Sequence, residues 1–290
     1  MAKKSVITIG TFDGVHRGHR LLITRTLSVA KKHDLKSVIF VLEKPVRNVS
    51  GLLTTCEEKI EEIKLLGVDE IIVIKVPSKI LSYCPDEFFN EFLRNTCSVF
   101  GIICGSDFTF GKNREGDIEW LNRRAIEKNI KVEVVKPLKF ALKQISSSDI
   151  RILVEKGDLK NFNLMLGRSY SFVGIPFKEI GLGRKIGFPT VNLNVDLYKL
   201  LPQGVYISLI TQGGEIYPSL TNIGTRVTFN RGNFIVPETH IFDFCKIWKK
   251  SKTKVTLLKK VRNEIKFINA KALKVQISKD ISIALSFFKK

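Results

Sequence analysis

Two histidines, His16 and His19, stand three apart with Gly18 between them, and Gly10 and Gly14 lie just upstream. The apolar run from Val6 to Ile9 stops at Gly10, so the segment reads as a short strand that breaks at glycine and turns directly into a helix beginning near His16. A helix start presents unpaired N–H groups, and two imidazoles on one side of its first turn can donate to phosphate oxygens. The combination is an anion site, and a nucleotide is its natural guest. Gly10, Gly14 and Gly18 are expected to let the backbone pass close to that ligand, with Phe12 and Asp13 in the turn among the residues around the phosphates. Two surface histidines, or a metal pair, are the alternatives. A metal needs a third and usually a fourth ligand, and His33 and His240 stand in no ligand-like cluster.

Three further stretches carry side chains of related chemistry. A polar loop from Gly105 to Gly116 follows the apolar run Ser98 to Cys104; in it Asp107 is placed to contact a ligand, whereas Phe108 and Phe110 suit a core. Ser146, Ser147 and Ser148 open a helix ahead of Arg151. Such hydroxyls cap free N–H groups, and beside a cation they also hold phosphate oxygens. In the third stretch Gly181 and Gly183 with Arg184 and Lys185 form a loop able to wrap phosphates, and the Thr190 hydroxyl and Asn192 carbonyl offer hard oxygen ligands to Mg²⁺. This is no Walker A sequence, and by itself a Gly-rich turn between strands is more commonly a hairpin. Glu238, in an extended run, reads unaided as a surface carboxylate.

The elements that must position these groups fall into two patterns. In the first half, strands and helices alternate: a helix to about His33 supported by Leu21, Leu22, Leu27 and Ala30, a strand from Ser37 to Leu42, and a helix through Leu66 opened by the capping box Thr55/Glu58. Glu70 to Val76 suits a strand buried on both faces, Asp86 to Arg94 a helix, and Ser98 to Cys104 another strand. This alternation predicts a Rossmann-like parallel sheet with helices on its faces and a ligand beyond the carboxyl ends of its strands, where Gly10 and Gly105 fall. Alternation stops between Asn161 and Arg168, giving domains of 1–165 and 166–290. Extended runs at Tyr206 to Gln212, Glu215 to Leu220, Ile235 to Phe244 and Lys254 to Leu258 then predict a small antiparallel β-barrel. A C-terminal helix from Ala270 to Phe287 closes it, with Ala272, Leu273, Val275, Ile277, Ile281, Ala284 and Leu285 as a broad buried stripe.

The 290 residues suffice for two cores, and a hydrophobic fraction of 44% with 26% charged residues excludes a disordered chain. No apolar run reaches membrane-spanning length and no signal-peptide core follows Met1, so the expected location is the cytoplasm, with no membrane partner. Five cysteines without a C-x-x-C pair are expected to be reduced, buried thiols. Lysine and arginine (48) outnumber aspartate and glutamate (28), a formal charge of +20 that attracts any polyanion. The basic residues follow no nucleic-acid-binding pattern, so no dedicated nucleic-acid partner is expected and the surplus reads chiefly as solvated surface that also raises the local nucleotide concentration.

The string Gly-Thr-Phe-Asp-Gly-Val-His-x-Gly-His at Gly10 to His19 resembles the FMN adenylyltransferase half of the bacterial bifunctional riboflavin kinase/FAD synthetases. Gly-Arg-x-Ile-Gly-Phe-Pro-Thr-x-Asn at Gly183 to Asn192 looks like the riboflavin kinase motif of the same family. The resemblance continues in family order from Ser5 to Leu285 and implies FMN synthesis from riboflavin and ATP in the barrel, and FAD synthesis from FMN and ATP in the N-terminal domain, with Mg²⁺. It implies His16 and His19 as catalytic in the first domain and Glu238, in Glu-Thr-His-Ile-Phe-Asp-Phe, as the base of the second. It further implies Asp107, Arg226, Arg262 and Glu264 at the flavin and Thr190 and Asn192 at the metal. Lys44 stands where the family commonly has histidine, Asp149 where a basic residue is usual, and Val227 where proline is usual. A kinase with a weakened or lost adenylyltransferase half is therefore the alternative, and a nucleic-acid-binding protein on relic folds a remoter one. Oligomeric state is not legible.

Overall fold

The computed structural model describes residues 4–76, 79–90, 98–177, 187–228, 232–244 and 248–289. The chain divides into two compact units, residues 1–147 and 148–290.

The first unit alternates strand and helix: β1 (Ser5–Gly10), α1 (Arg17–Lys32), β2 (Lys36–Leu42), α2 (Cys56–Lys64), β3 (Glu70–Ile74), α3 (Pro85–Glu87), β4 (Val99–Gly105), α4 (Ile118–Glu127) and β5 (Lys131–Val135). A small hairpin, β6 (Lys139–Phe140) and β7 (Lys143–Gln144), follows, and α5 (Ser147–Glu155) begins where the unit ends. The five long strands are parallel in the order β3-β2-β1-β4-β5. Strand periodicity divides the core between two faces: Val38 and Phe40 pack with Ile7, Ile102 and Leu121, while Ile39 and Val41 pack with Phe12, Ile23 and Ile63. The Thr55/Glu58 capping box is present, Thr55 Oγ accepting from Glu58 N and Glu58 Oε2 from Thr55 N.

Three expectations need correction in this unit. The Glu70 run ends at Ile74 and forms an edge strand with Val73 38% exposed, because an apolar run by itself does not say where in the sheet a strand lies. On α1 the buried residues are Ile23, Thr26 and Ala30, and Leu21 is exposed. Among the described cysteines only Cys104 is buried, its thiol pushed up to about 11 chiefly by burial; Cys56 is half-buried and Cys84 exposed.

The second unit contains α6 (Leu159–Leu166), β8 (Ser171–Phe177), β9 (Val191–Val195), β10 (Gly204–Gln212), β11 (Glu215–Thr228), β12 (Gly232–Ile241), β13 (Thr253–Arg262) and α7 (Ala270–Phe288). The strands close an antiparallel barrel in the order β10-β11-β12-β9-β8-β13. Its interior carries a hydroxyl chain in which Ser208 bonds Ser219 and Thr221, and Thr221 bonds Thr239, all fully buried. The opposite face of the same strands is covered by α7, through Val205, Ile207, Leu220 and Ala284. The broad apolar stripe expected on α7 is a narrow seam. Only Asp280 and Ala284 are buried, and Val275 and Leu285 are exposed, because the helix lies on one flank of a convex barrel.

Candidate active sites

In the first unit the strand order reverses direction on either side of β1, and Gly10 and Gly105 end the adjacent strands β1 and β4 at that switch point. His16 is the N-cap of α1, its Nδ1 accepting from His19 N at 3.3 Å. That acceptor role places any proton of a neutral His16 on Nε2. The two imidazoles stack, centroids 3.5 Å apart. Gly18 makes this possible, since a Cβ there would come within 3.1 Å of the His16 ring. His19 also meets the edge of Phe12 at 5.3 Å. Burial, then His16 and then Lys59 hold the His19 pKa well below the usual imidazole range, so at neutral pH it is uncharged. Its Nδ1 is buried without a hydrogen-bond partner among the described residues, an orphan of the sort that clusters at functional sites.

The turn itself is built by residues that sequence placed near phosphate. Phe12 and Val15 have φ of 48° and 39°, strained values for a bulky and a β-branched residue. The Phe12 ring lies over Gly10, and the Asp13 carboxylate turns inward to accept from Leu53 N, Thr54 N and the Thr54 hydroxyl. Thr54 Oγ1 accepts in turn from Gly14 N, and Ser147 Oγ donates to Asp13 O at 2.8 Å. At Gly10 and Gly18 the close approaches in this structure are those of the protein's own Phe12 and His16 rings. Ser146 precedes α5, Ser148 and Arg151 lie along it, and Arg151 is buried. Asp107 is exposed and folds back over Gly105, whereas Phe110 is in the core as expected and stacks on Phe108.

In the barrel, β12 sets Glu238 directly opposite Asn192 of β9 on one side and Asn222 of β11 on the other. Directly opposed residues share a sheet face, so the three side chains form one row. Leu220, two residues before Asn222, packs under α7, which puts the row on the outer, helix-bearing face. Glu238 is half-buried and Asn192 buried. Thr190 immediately precedes β9, two residues from Asn192, and the neighbouring Pro189 O accepts from His240 Nδ1 at 2.8 Å. Glu264 adjoins the row from the segment after β13: its carboxylate occupies the space where a Cβ on Gly224 would be. Arg262 sits at the end of β13 with Nε and a terminal nitrogen both 2.9 Å from Asp280 Oδ2 of α7, and its guanidinium lies 5.8 Å from the Phe267 ring centre.

Comparison with known proteins separates the same two halves. The family described as FAD synthetase matches residues 1–149 and that described as riboflavin kinase matches residues 166–288. The bifunctional riboflavin kinase/FMN adenylyltransferases of Buchnera aphidicola subsp. Schizaphis graminum and of Bacillus subtilis are each 32% identical, with 98% of this chain covered and 94% and 93% of theirs. The chain belongs to the bifunctional riboflavin kinase/FMN adenylyltransferase family. A crystal structure from Streptococcus pneumoniae described as a macrolide-efflux protein is also similar, with a TM-score of 0.87 at 26% identity, covering 98% of this chain and 94% of that one. Among the described residues no helix is long and apolar enough to cross a membrane.

Several of the site residues expected for a member of this bifunctional family are not among those described. Gly181, Gly183, Arg184 and Lys185 lie outside the described residues, as does the side chain of Arg226. Sequence reasoning missed others. Lys59 reads as a solvated helix charge because it follows Glu57 and Glu58, yet it is 1% exposed. Asp280 matters through a long-range ion pair, for which a sequence carries no local signal, and although Asn222 and Gly224 stand in an Asn-Ile-Gly-x-Arg string similar to the family's, their pairing with Glu238 and Glu264 is set by strand register and the return of the chain.

Proposed function

We propose that the barrel transfers the γ-phosphoryl group of ATP to the ribityl 5′-hydroxyl of riboflavin, giving FMN and ADP, with Glu238 as the base that takes the hydroxyl proton. The first unit then transfers the adenylyl group of a second ATP to the FMN phosphate, giving FAD and diphosphate. The observation that carries the reading is that each unit has its own constellation: the His16/His19 stack at the β1 switch point, and the Asn222–Glu238–Asn192 row on the barrel's outer face. We place the domain boundary at 165/166, at the start of the riboflavin kinase match.

Adenylyl transfer needs positioning and charge stabilisation rather than a covalent enzyme intermediate. The α1 N-terminus and the two imidazoles supply donors. A triphosphate entering beside the uncharged His19 brings negative charge and so raises the proton affinity of that ring, favouring the charged form as charge develops at the phosphorus centre. Asp107 at the end of β4, and Ser146, Ser147, Ser148 and Arg151 around the start of α5, are the proposed FMN and phosphate contacts. In the barrel, Thr190 and Asn192 present hard oxygens two residues apart beside Glu238, a donor set that fits Mg²⁺. When bound, the ion would screen the charge of the ATP phosphates. Glu264 and Arg226 are assigned to the flavin.

Purified protein supplied with riboflavin, ATP and Mg²⁺ is expected to yield FMN and then FAD by chromatography, and with FMN in place of riboflavin, FAD directly. Glu238→Gln is expected to abolish FMN formation while leaving FAD formation from supplied FMN at the wild-type rate. FMN formation that survives the substitution would show that another group takes the proton.

A further inference from the structure

Lys59 of α2 is 1% exposed, a rare situation for lysine. Its Nζ donates to Thr11 O at 2.7 Å, Leu42 O at 2.8 Å and, more weakly, Glu43 O at 3.4 Å. Thr11 follows the end of β1, and Leu42 and Glu43 end and follow β2, so one ammonium joins the carboxyl ends of two adjacent parallel strands beside the histidine pair. A neutral amine has two N–H donors and an ammonium has three, and three carbonyl acceptors match the charged form.

The surrounding acids offset that charge from a distance. Burial pushes the Lys59 pKa down, and the carboxylates of Asp13 and Glu43 favour the ammonium electrostatically against it. The Asp13 carboxylate, however, is spent on Leu53 N, Thr54 N and the Thr54 hydroxyl, and Glu43 Oε2 accepts from Val76 N. Lys59 is therefore a buried cation held by carbonyl dipoles, without a carboxylate hydrogen-bonded to it among the described residues. All three of its protons are directed at carbonyls, so its influence on a neighbouring anion is Coulombic, acting through an interior of low dielectric.

We propose that Lys59 is the fixed cation of the adenylyl-transfer site: a positioning residue that locks the β1 and β2 carboxyl ends together and sets the field felt by His19 and by an arriving triphosphate. This rests on the adenylyltransferase reading of the first unit. It differs from a purely structural staple in one respect. A staple needs hydrogen-bond donors, whereas the proposed role needs the charge.

Lys59→Gln keeps amide donors without the charge, and Lys59→Arg keeps the charge. His19 is faced by His16 from its own helix start and by Lys59 from α2. The His19 titration followed by NMR should accordingly move upward in Lys59→Gln and stay near wild type in Lys59→Arg. In the same preparations kcat/KM for ATP in FAD formation from FMN should fall roughly tenfold or more in Lys59→Gln, about 1.4 kcal/mol of transition-state stabilisation, with the riboflavin kinase rate unchanged. An unmoved His19 titration together with FAD formation within about twofold of wild type overturns the proposal. Should Lys59→Gln fail to fold, the wild-type ¹⁵Nζ signal decides: an ammonium that persists to about pH 8 supports a fixed charge, and an amine already neutral at pH 7 overturns it. Wild-type protein that makes no FAD from FMN and ATP would instead sink the adenylyltransferase reading.

Discussion

Gly224 shows how a residue without a side chain can place one that has a function. Its Cα faces the Glu264 carboxylate, which lies where a Cβ would go, and the two residues are forty apart in sequence. The obstructed atoms are the far end of a flexible, exposed side chain, so Gly224→Ala is expected to leave the melting temperature nearly unchanged while displacing that carboxylate. If Glu264 serves the flavin from this position, Gly224→Ala raises KM for riboflavin about as much as Glu264→Ala does. Steady-state kinetics on the two variants check this, and a wild-type KM in Gly224→Ala beside a raised one in Glu264→Ala would mean that Glu264 works from elsewhere. Glu264 and Gly224 each stand in a motif that the sequence shows. Their contact was not legible, because it depends on how the chain after β13 returns to β11.

The alternating strands and helices of the first half and the antiparallel runs of the second were legible because periodicity and capping are local properties, as at Thr55 and Glu58. Periodicity is blind to an element's neighbours, hence the misjudged edge strand β3 and the overestimated stripe on α7. What fastens α7 is partly polar. Asp280, 1% exposed, takes both nitrogens of Arg262 on Oδ2 and Gln276 Nε2 on Oδ1 at 2.8 Å. Arg262 begins the segment that carries Glu264, so this ion pair also tethers a proposed flavin contact to the helix. Removing Asp280 leaves a partly exposed Arg262 guanidinium and Gln276 without their acceptor, and Asp280→Ala is expected to destabilise the second unit by about 2 kcal/mol. Urea unfolding of the second unit checks the magnitude. Adenylyl transfer to supplied FMN should be unaffected and KM for riboflavin raised; a loss of both activities in parallel would mean that the damage is not confined to this unit.

The two compact units each have their own hydrophobic core, and the His16/His19 stack lies in one of them and the Asn222–Glu238–Asn192 row in the other. Nothing in either constellation requires the other to be intact, so the activities should be separable by substitution and recombined by mixing. Glu238→Gln alone should make no FMN from riboflavin, and His19→Asn alone should stop at FMN. An equimolar mixture should convert riboflavin to FAD after a lag, because FMN released by one chain must accumulate in solution before the other can use it. Chromatography of timed samples measures both products. A mixture that accumulates FMN and makes no FAD, at FMN levels from which Glu238→Gln alone produces it, would require the intermediate to stay with the chain that formed it. The formal charge of +20 favours recapture, since FMN and ATP are anions drawn to every copy of the protein alike. Added salt should therefore lengthen the lag of the mixture, screening that attraction without removing either set of residues.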